Sequence, residues 1–265
     1  MPLPPEVAQV TERFLASIDR KSPGLVQGLY LHGSLGFGEY FAGSSDVDFV
    51  VILSARPGDA DLDALAAAHA ETRDAQPRPD FDGIHLIRSD LASPPAECPD
   101  VPYMFGGSFC RAGRFEVNPV TWHELARYGV TVRGPELTAG DVWADDAVLR
   151  AFSYDNLSSY WARVADALVA EPTAAAKPES AAWCVLGVSR LHHLLATGSM
   201  TSKSGAGRHA LVAFGSQWQP IIHEALRARE RPGATSAYAD DTARRGRDTT
   251  AFTAMAIETS LAHTP

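Results

Sequence analysis

The chain has 265 residues, 23 Lys and Arg against 32 Asp and Glu, and a formal net charge of -9. With 45% apolar and 21% charged residues it can build a core of ordinary globular size, which excludes disordered, collagen-like and coiled-coil chains. The acidic balance argues against general affinity for duplex nucleic acid or anionic membranes, because both draw on surplus Lys and Arg.

In chain order, Val7, Val10, Phe14 and Ile18 are spaced by three and four and predict a helix over 5–19. Two apolar runs, Leu25 to Leu31 and Val47 to Leu53, predict buried strands on either side of a glycine-rich loop that begins at Gly33-Ser34. Residues 59–71 have a helical composition, and Ile84 to Ile87 predict a third strand. The Pro- and Gly-dense stretch Ser93 to Gly113 is expected to be a loop. Phe115 to Val120 predict another strand, Trp122 to Arg127 a helix, and Val130 to Arg133 a last strand ending at Gly134-Pro135.

Beyond that pair the periodicity is helical. Phe152, Leu157, Tyr160, Trp161, Val164 and Leu168 mark one helix, Trp183 to Leu195 another, and Phe252, Met255 and Leu261 a last one. Residues 171–180, with Pro172, Pro178 and three alanines, are expected to connect helices. An α/β half followed by a helical half suggests two domains.

Cys98, Cys110 and Cys184 are odd in number and include no CxxC pair, so neither a disulfide framework nor a thiolate zinc site is expected. No apolar run has the length of a membrane span, and the first residues lack the pattern of a secretory signal. A cytoplasmic protein with no membrane partner is expected.

The chemistry concentrates in LHGSLGFGEYFAGSSDVDFVVIL, residues 31–53. Asp46 and Asp48 are two apart on a predicted strand and share a face, so they present two carboxylates together. Hard divalent cations take such oxygens and fill their other positions with water and phosphate. Gly33 lets the backbone approach closely, and the Ser34 hydroxyl can donate to a phosphate oxygen. The competing reading makes Gly33 to Ser45 a plain turn and both aspartates solvated strand ends; the apolar run beside them favours the metal-nucleotide site. His123-Glu124 lacks the second histidine of a zinc-binding HExxH, and Trp122, Trp161, Trp183 and Trp218 fall on helical patterns that suggest core.

Gly-Ser followed by Asp-x-Asp resembles the signature of the polymerase-β-like nucleotidyltransferase superfamily. Within it the chain is similar to the aminoglycoside-(3'')(9) adenylyltransferase group, which adenylylates streptomycin and spectinomycin. ELARYGVTVRGP (124–135), RLHHLLATGSMTSK (190–203) and QWQPIIHEA (217–225) carry the likeness into the second half. The resemblance implies an α/β (α+β) N-terminal nucleotidyltransferase domain with a mixed sheet over 1–140 and an all-α C-terminal helical domain over 141–265. It implies transfer of AMP from ATP, with Mg²⁺, to a hydroxylated small-molecule acceptor of aminoglycoside type, by a monomer. Transfer to a protein or another metabolite, and a nucleotide-binding regulatory module without turnover, are the alternatives.

Position by position, the resemblance assigns Gly33, Ser34 and Ser45 to the phosphates, Asp46 and Asp48 to magnesium, and Arg190 and Lys203 to the nucleotide from the second domain. Asp82 occupies the place of the family's third carboxylate, as base and further metal ligand, where the family has Glu. Asp80 and Glu116 compete for that role, and Asp82 before Gly83 is alternatively a turn residue. The acidic and aromatic residues that hold the drug have no direct match in 171–180, where Glu171 and Glu179 are the candidate acceptor-binding acids.

Overall fold

The computed structural model describes residues 2–138 and 140–262. By internal contacts the chain divides into two compact units, Met1–Asp145 and Asp146–Pro265.

In the first unit, α1 (Pro5–Lys21) leads into β1 (Val26–Leu31), the short helix α2 (Gly33–Gly36) and β2 (Val47–Leu53). α3 (Asp59–Ala75), β3 (Phe81–Ile87) and the single turn α4 (Arg88–Leu91) follow. Then come β4 (Val101–Phe105), β5 (Ser108–Gly113), α5 (Pro119–Tyr128) and β6 (Val130–Arg133). The six strands form one mixed sheet in the order β5-β4-β3-β2-β1-β6. Only β2 and β3 run parallel; the other neighbours are antiparallel.

Apart from Asp48, β2 is apolar because both its faces are covered. Phe49, Val51 and Leu53 pack with Val7, Val10, Phe14 and Ile18 of α1 and Leu65 of α3. Val50 and Ile52 pack on the other face with Trp122 and Leu125 of α5 and Ile84 and Leu86 of β3. Alternation therefore turns the even-numbered residues of β2 and β3 toward α5.

Two expectations fail in this unit. The stretch read as a loop from Ser93 contains the β4–β5 hairpin, whose two-residue turn is Gly106-Gly107, both at positive φ (56° and 76°). That is the geometry a tight hairpin requires, and the glycines that suggested a loop are its turn. Phe115 to Val120 form no strand: Glu116 sits at φ 53°, and Asn118 caps α5 by accepting from the N–H groups of Val120 and Thr121. A capping Asn followed by Pro at the first helical position is a helix start, and it outranks the apolar composition of the segment.

The second unit is helical. α6 (Asp146–Asn156) runs through a π-helical turn, Leu157–Trp161, into α7 (Ala162–Ala170). α8 (Pro172–Ala175) lies where a connection is expected. α9 (Pro178–Thr197), α10 (Lys203–Ala213), α11 (Gln219–Glu230) and α12 (Thr242–Leu261) complete it. Its own core gathers Leu157, Trp161, Val185, Leu186, Ile222 and Phe252 among others. Trp122 and Trp161 are core as expected, but Trp183 is 42% exposed, its ring tilted against Trp161 and edge-on to Tyr160. Cys98, Cys110 and Cys184 are all free. Among the described residues no helix is long and apolar enough to cross a membrane.

Candidate functional site

The parallel pairing of β2 with β3 sets the site. Asp48 stands directly opposite Asp82 in the register, and Asp46, just before β2, shares the face of Asp48. All three carboxylates therefore lie on the α5 side of the sheet. Asp82 is inside a strand, not in a turn. Its Oδ2 accepts from the Gly106 N–H of the hairpin turn at 3.0 Å, while Oδ1 is buried with no hydrogen-bond partner. Burial pushes the Asp82 carboxyl up to about 6, against the pull of the Gly106 N–H, and Asp80, Asp46 and Asp48 add their charge in the same upward direction. Asp80 precedes β3; its carbonyl accepts from the Val47 N–H.

On the other side of Asp48, β1 ends at His32, whose N–H donates to the Asp48 carbonyl at 3.1 Å. Gly33 follows at φ 57°, and a Cβ there would overlap Asp48 Oδ2. Only glycine fits both the left-handed backbone and the carboxylate pressed against it. The Gly33 N–H donates to Glu124 Oε2 at 3.1 Å, so it is the room Gly33 leaves that serves Asp48. The Ser34 hydroxyl is buried with no partner. Ser45 closes the intervening loop, its Oγ accepting from the Phe41 N–H at 3.1 Å, and keeps its own hydroxyl hydrogen to donate.

Sequence reading passed over His32, Glu124 and the backbone of Glu116. His32 is buried between two carboxylates, with Nδ1 3.0 Å from Glu124 Oε2 and Nε2 3.7 Å from Glu116 Oε2. Burial opposes its charge, but the Glu116 carboxylate, the hydrogen-bonded Glu124 and the charge of Asp48 prevail and hold its pKa well above the usual 6.5. Burial raises the Glu116 carboxyl, against the pull of His32. A non-glycine residue in the left-handed region is a strained position of the kind that collects at functional sites. The one signal available in the sequence was the pair His123-Glu124, set aside there for want of a second histidine. Phe105 of the hairpin, 58% exposed and packed at a tilt against Phe115 with ring centroids 4.7 Å apart, is an apolar face near Asp82 that composition did not reveal.

Residues of the site fit a metal-bound nucleotide. Asp46 and Asp48 offer oxygens on one face, Ser34 offers an uncommitted donor, and Asp82 an uncommitted acceptor. Among the described residues no group of three His, Cys, Asp or Glu side chains has the spacing of a closed metal site. Magnesium held by one or two carboxylates takes its other ligands from phosphate and water.

The remaining candidates lie in the second unit. Arg190 is half-buried on α9, and Lys203 opens α10 directly after Ser202, whose Oγ caps that helix by accepting from the Gly205 N–H. Glu171 and Glu179 are exposed, at the end of α7 and in the first turn of α9.

Residues 11–91 match the family described as a nucleotidyltransferase domain. Residues 158–252 match the family described as the aminoglycoside adenylyltransferase C-terminal domain. Among curated proteins none matches the chain. In fold the chain is similar to the crystal structure of spectinomycin adenyltransferase AAD(9) from Enterococcus faecialis with ATP and spectinomycin. The TM-score is 0.59 at 14% identity, over 94% of this chain and 98% of that one.

Proposed function

We infer that this chain, a member of the aminoglycoside adenylyltransferase family by the two domains it matches, transfers AMP from ATP to a hydroxyl of an aminoglycoside-like acceptor. The observation that carries the reading is the convergence of Asp46, Asp48 and Asp82 on one sheet face, beside a turn whose Ser34 hydroxyl is buried without a partner. The likeness in fold to a protein crystallised with ATP and spectinomycin supports the choice of acceptor class. Use of ATP points to the cytoplasm.

When bound, magnesium supplies the positive charge that offsets the triphosphate and the charge developing during transfer. Asp46 and Asp48 are the residues that would hold it, with Asp82 the third carboxylate beside them. Ser34 and Ser45 donate to phosphate oxygens, and we assign Arg190 and Lys203 to the same triphosphate on the family resemblance. Asp82 takes the proton from the acceptor hydroxyl; a carboxyl raised to about 6 is closer to neutrality than an ordinary aspartate and so a stronger base. The acceptor oxygen then forms its bond to the α-phosphorus while the bond from that phosphorus to pyrophosphate breaks on the opposite side. Glu171 and Glu179, as exposed acids, are assigned to the ammonium groups of the acceptor.

The test is incubation with ATP, Mg²⁺ and a panel including streptomycin and spectinomycin, followed by mass spectrometry. One added AMP on an aminoglycoside, with equimolar pyrophosphate, is expected. ATP binding without an adduct on any member of the panel would turn the assignment toward a protein or metabolite acceptor, or toward a regulatory module.

A further inference from the structure

We propose that Glu124 is a positioning residue for the phosphate-facing turn, acting through two donors that meet on one of its oxygens. The inference rests on the nucleotidyl-transfer reading and deepens it. Oε2 of Glu124 accepts from the Gly33 N–H at 3.1 Å and lies 3.0 Å from His32 Nδ1. These two residues are consecutive at the point where β1 becomes α2, and His32 is tied by its own N–H to the carbonyl of Asp48. One buried carboxylate oxygen on α5 therefore fixes the end of β1, the left-handed glycine and, through it, the space that Asp48 occupies.

The physical argument is one of unmet bonds. Gly33 adopts φ 57°, a conformation with no advantage of its own for a free chain. The His32 ring is buried and the Gly33 N–H partly so, and without an acceptor at Glu124 both would seek partners by turning the backbone. Ser34 is the next residue, and its hydroxyl would be displaced with the turn. The support under Glu124 is rigid: Trp122 and Leu125 of the same helix are fully buried against the sheet, and Asn118 fixes the start of the helix. Glu124 itself is 4% exposed and touches neither nucleotide nor acceptor in the proposed chemistry.

Conservative variants separate positioning from charge and from folding. Glu124→Gln keeps one carbonyl oxygen with two lone pairs, enough to accept both donors. Glu124→Leu keeps much of the volume and accepts nothing. His32→Asn carries an N–H where Nδ1 stands and retains the bond to Glu124; His32→Gln carries it where Nε2 stands and loses that bond. We expect Glu124→Leu and His32→Gln to weaken MgATP binding by calorimetry at least about tenfold, the scale of one lost hydrogen bond to a charged group. Glu124→Gln and His32→Asn should stay within about threefold of the parent, a smaller change than one such bond. In the nucleotide-free protein, amide hydrogen exchange over 32–36 should rise in the first pair alone.

Equal affinity and equal exchange in Glu124→Leu and Glu124→Gln would overturn the proposal. So would equal losses in both His32 variants, which is what a plain packing role gives. If Glu124→Leu does not fold, the two His32 variants decide. Should the parent bind no MgATP, the nucleotidyl-transfer reading falls, and exchange over 32–36 still shows whether Glu124 holds the turn.

Discussion

Asp82 is set apart from the other acids of the site by its neighbours: it faces Asp48 across two parallel strands, takes one hydrogen bond from Gly106, and keeps one buried oxygen with no partner. Replacing it with Asn keeps an acceptor for Gly106 but removes the base. Asp82→Asn is therefore expected to bind MgATP normally and to lose about 10² to 10⁴ in turnover, while Asp82→Glu remains active. Single-turnover kinetics with an accepted aminoglycoside measures both. If Asp82→Asn turns over at the parental rate and Glu116→Gln does not, the base is the strained glutamate on the other side of His32.

Between α3 and β3 the core contains a pair of histidines rather than apolar side chains. Nδ1 of His85 meets the carbonyl of Pro102 at 3.1 Å, and its Nε2 meets Nε2 of His69 at 3.0 Å. A carbonyl only accepts, so Nδ1 of His85 carries the proton and its Nε2 accepts from His69. His85 must be neutral for this to hold, while His69 donates from Nε2. Burial drives both pKa values down, that of His69 well below 6.5 with the charge of His85 adding to the effect, that of His85 to about 4 against the pull of the Pro102 carbonyl. The unfolded chain takes up these protons first, so the stability they contribute is complete above about pH 6.5 and is lost as pH falls toward 4. The slope is at most about 1.4 kcal/mol per pH unit for each ring. Urea midpoints at pH 7.5 and 5.5 should show the parent losing more than His69→Gln, which removes one of the two titrations; equal losses would refute the account.

At the scale of the whole chain, each unit has its own core, and Lys203, proposed as a nucleotide contact on the family resemblance alone, belongs to the second unit. Lys203 illustrates how such a residue can be separated from a structural one. It stands at the first position of α10, where the helix dipole favours anions, and a cation there is unfavourable by about 0.3 to 1 kcal/mol. Lys203→Ala is expected to weaken ATP binding in a chain that stays folded by circular dichroism. Normal ATP affinity in this variant would remove Lys203 from the nucleotide site.

Local pattern was enough for much of this protein. The largely apolar run Val47 to Leu53 marked β2 because a strand covered on both faces is mostly apolar, and Gly33, Ser34, Asp46 and Asp48 stood out because their spacing is short and lies within one strand-loop-strand unit. What spacing along the chain does not carry is pairing between distant segments. The parallel register that sets Asp82 opposite Asp48, and the approach of α5 that puts Glu124 under Gly33, both join residues many positions apart and depend on the assembled sheet. For the same reason the Gly106-Gly107 pair read as a loop, since only the partner strands make it a hairpin, and the charge state of His69 and His85 is set by burial, which spacing does not show. The sequence by itself determined which residues can do the chemistry, through their types and local periodicity; the tertiary structure decided which of them meet, because hydrogen-bond register and desolvation exist only once the strands and helices have packed.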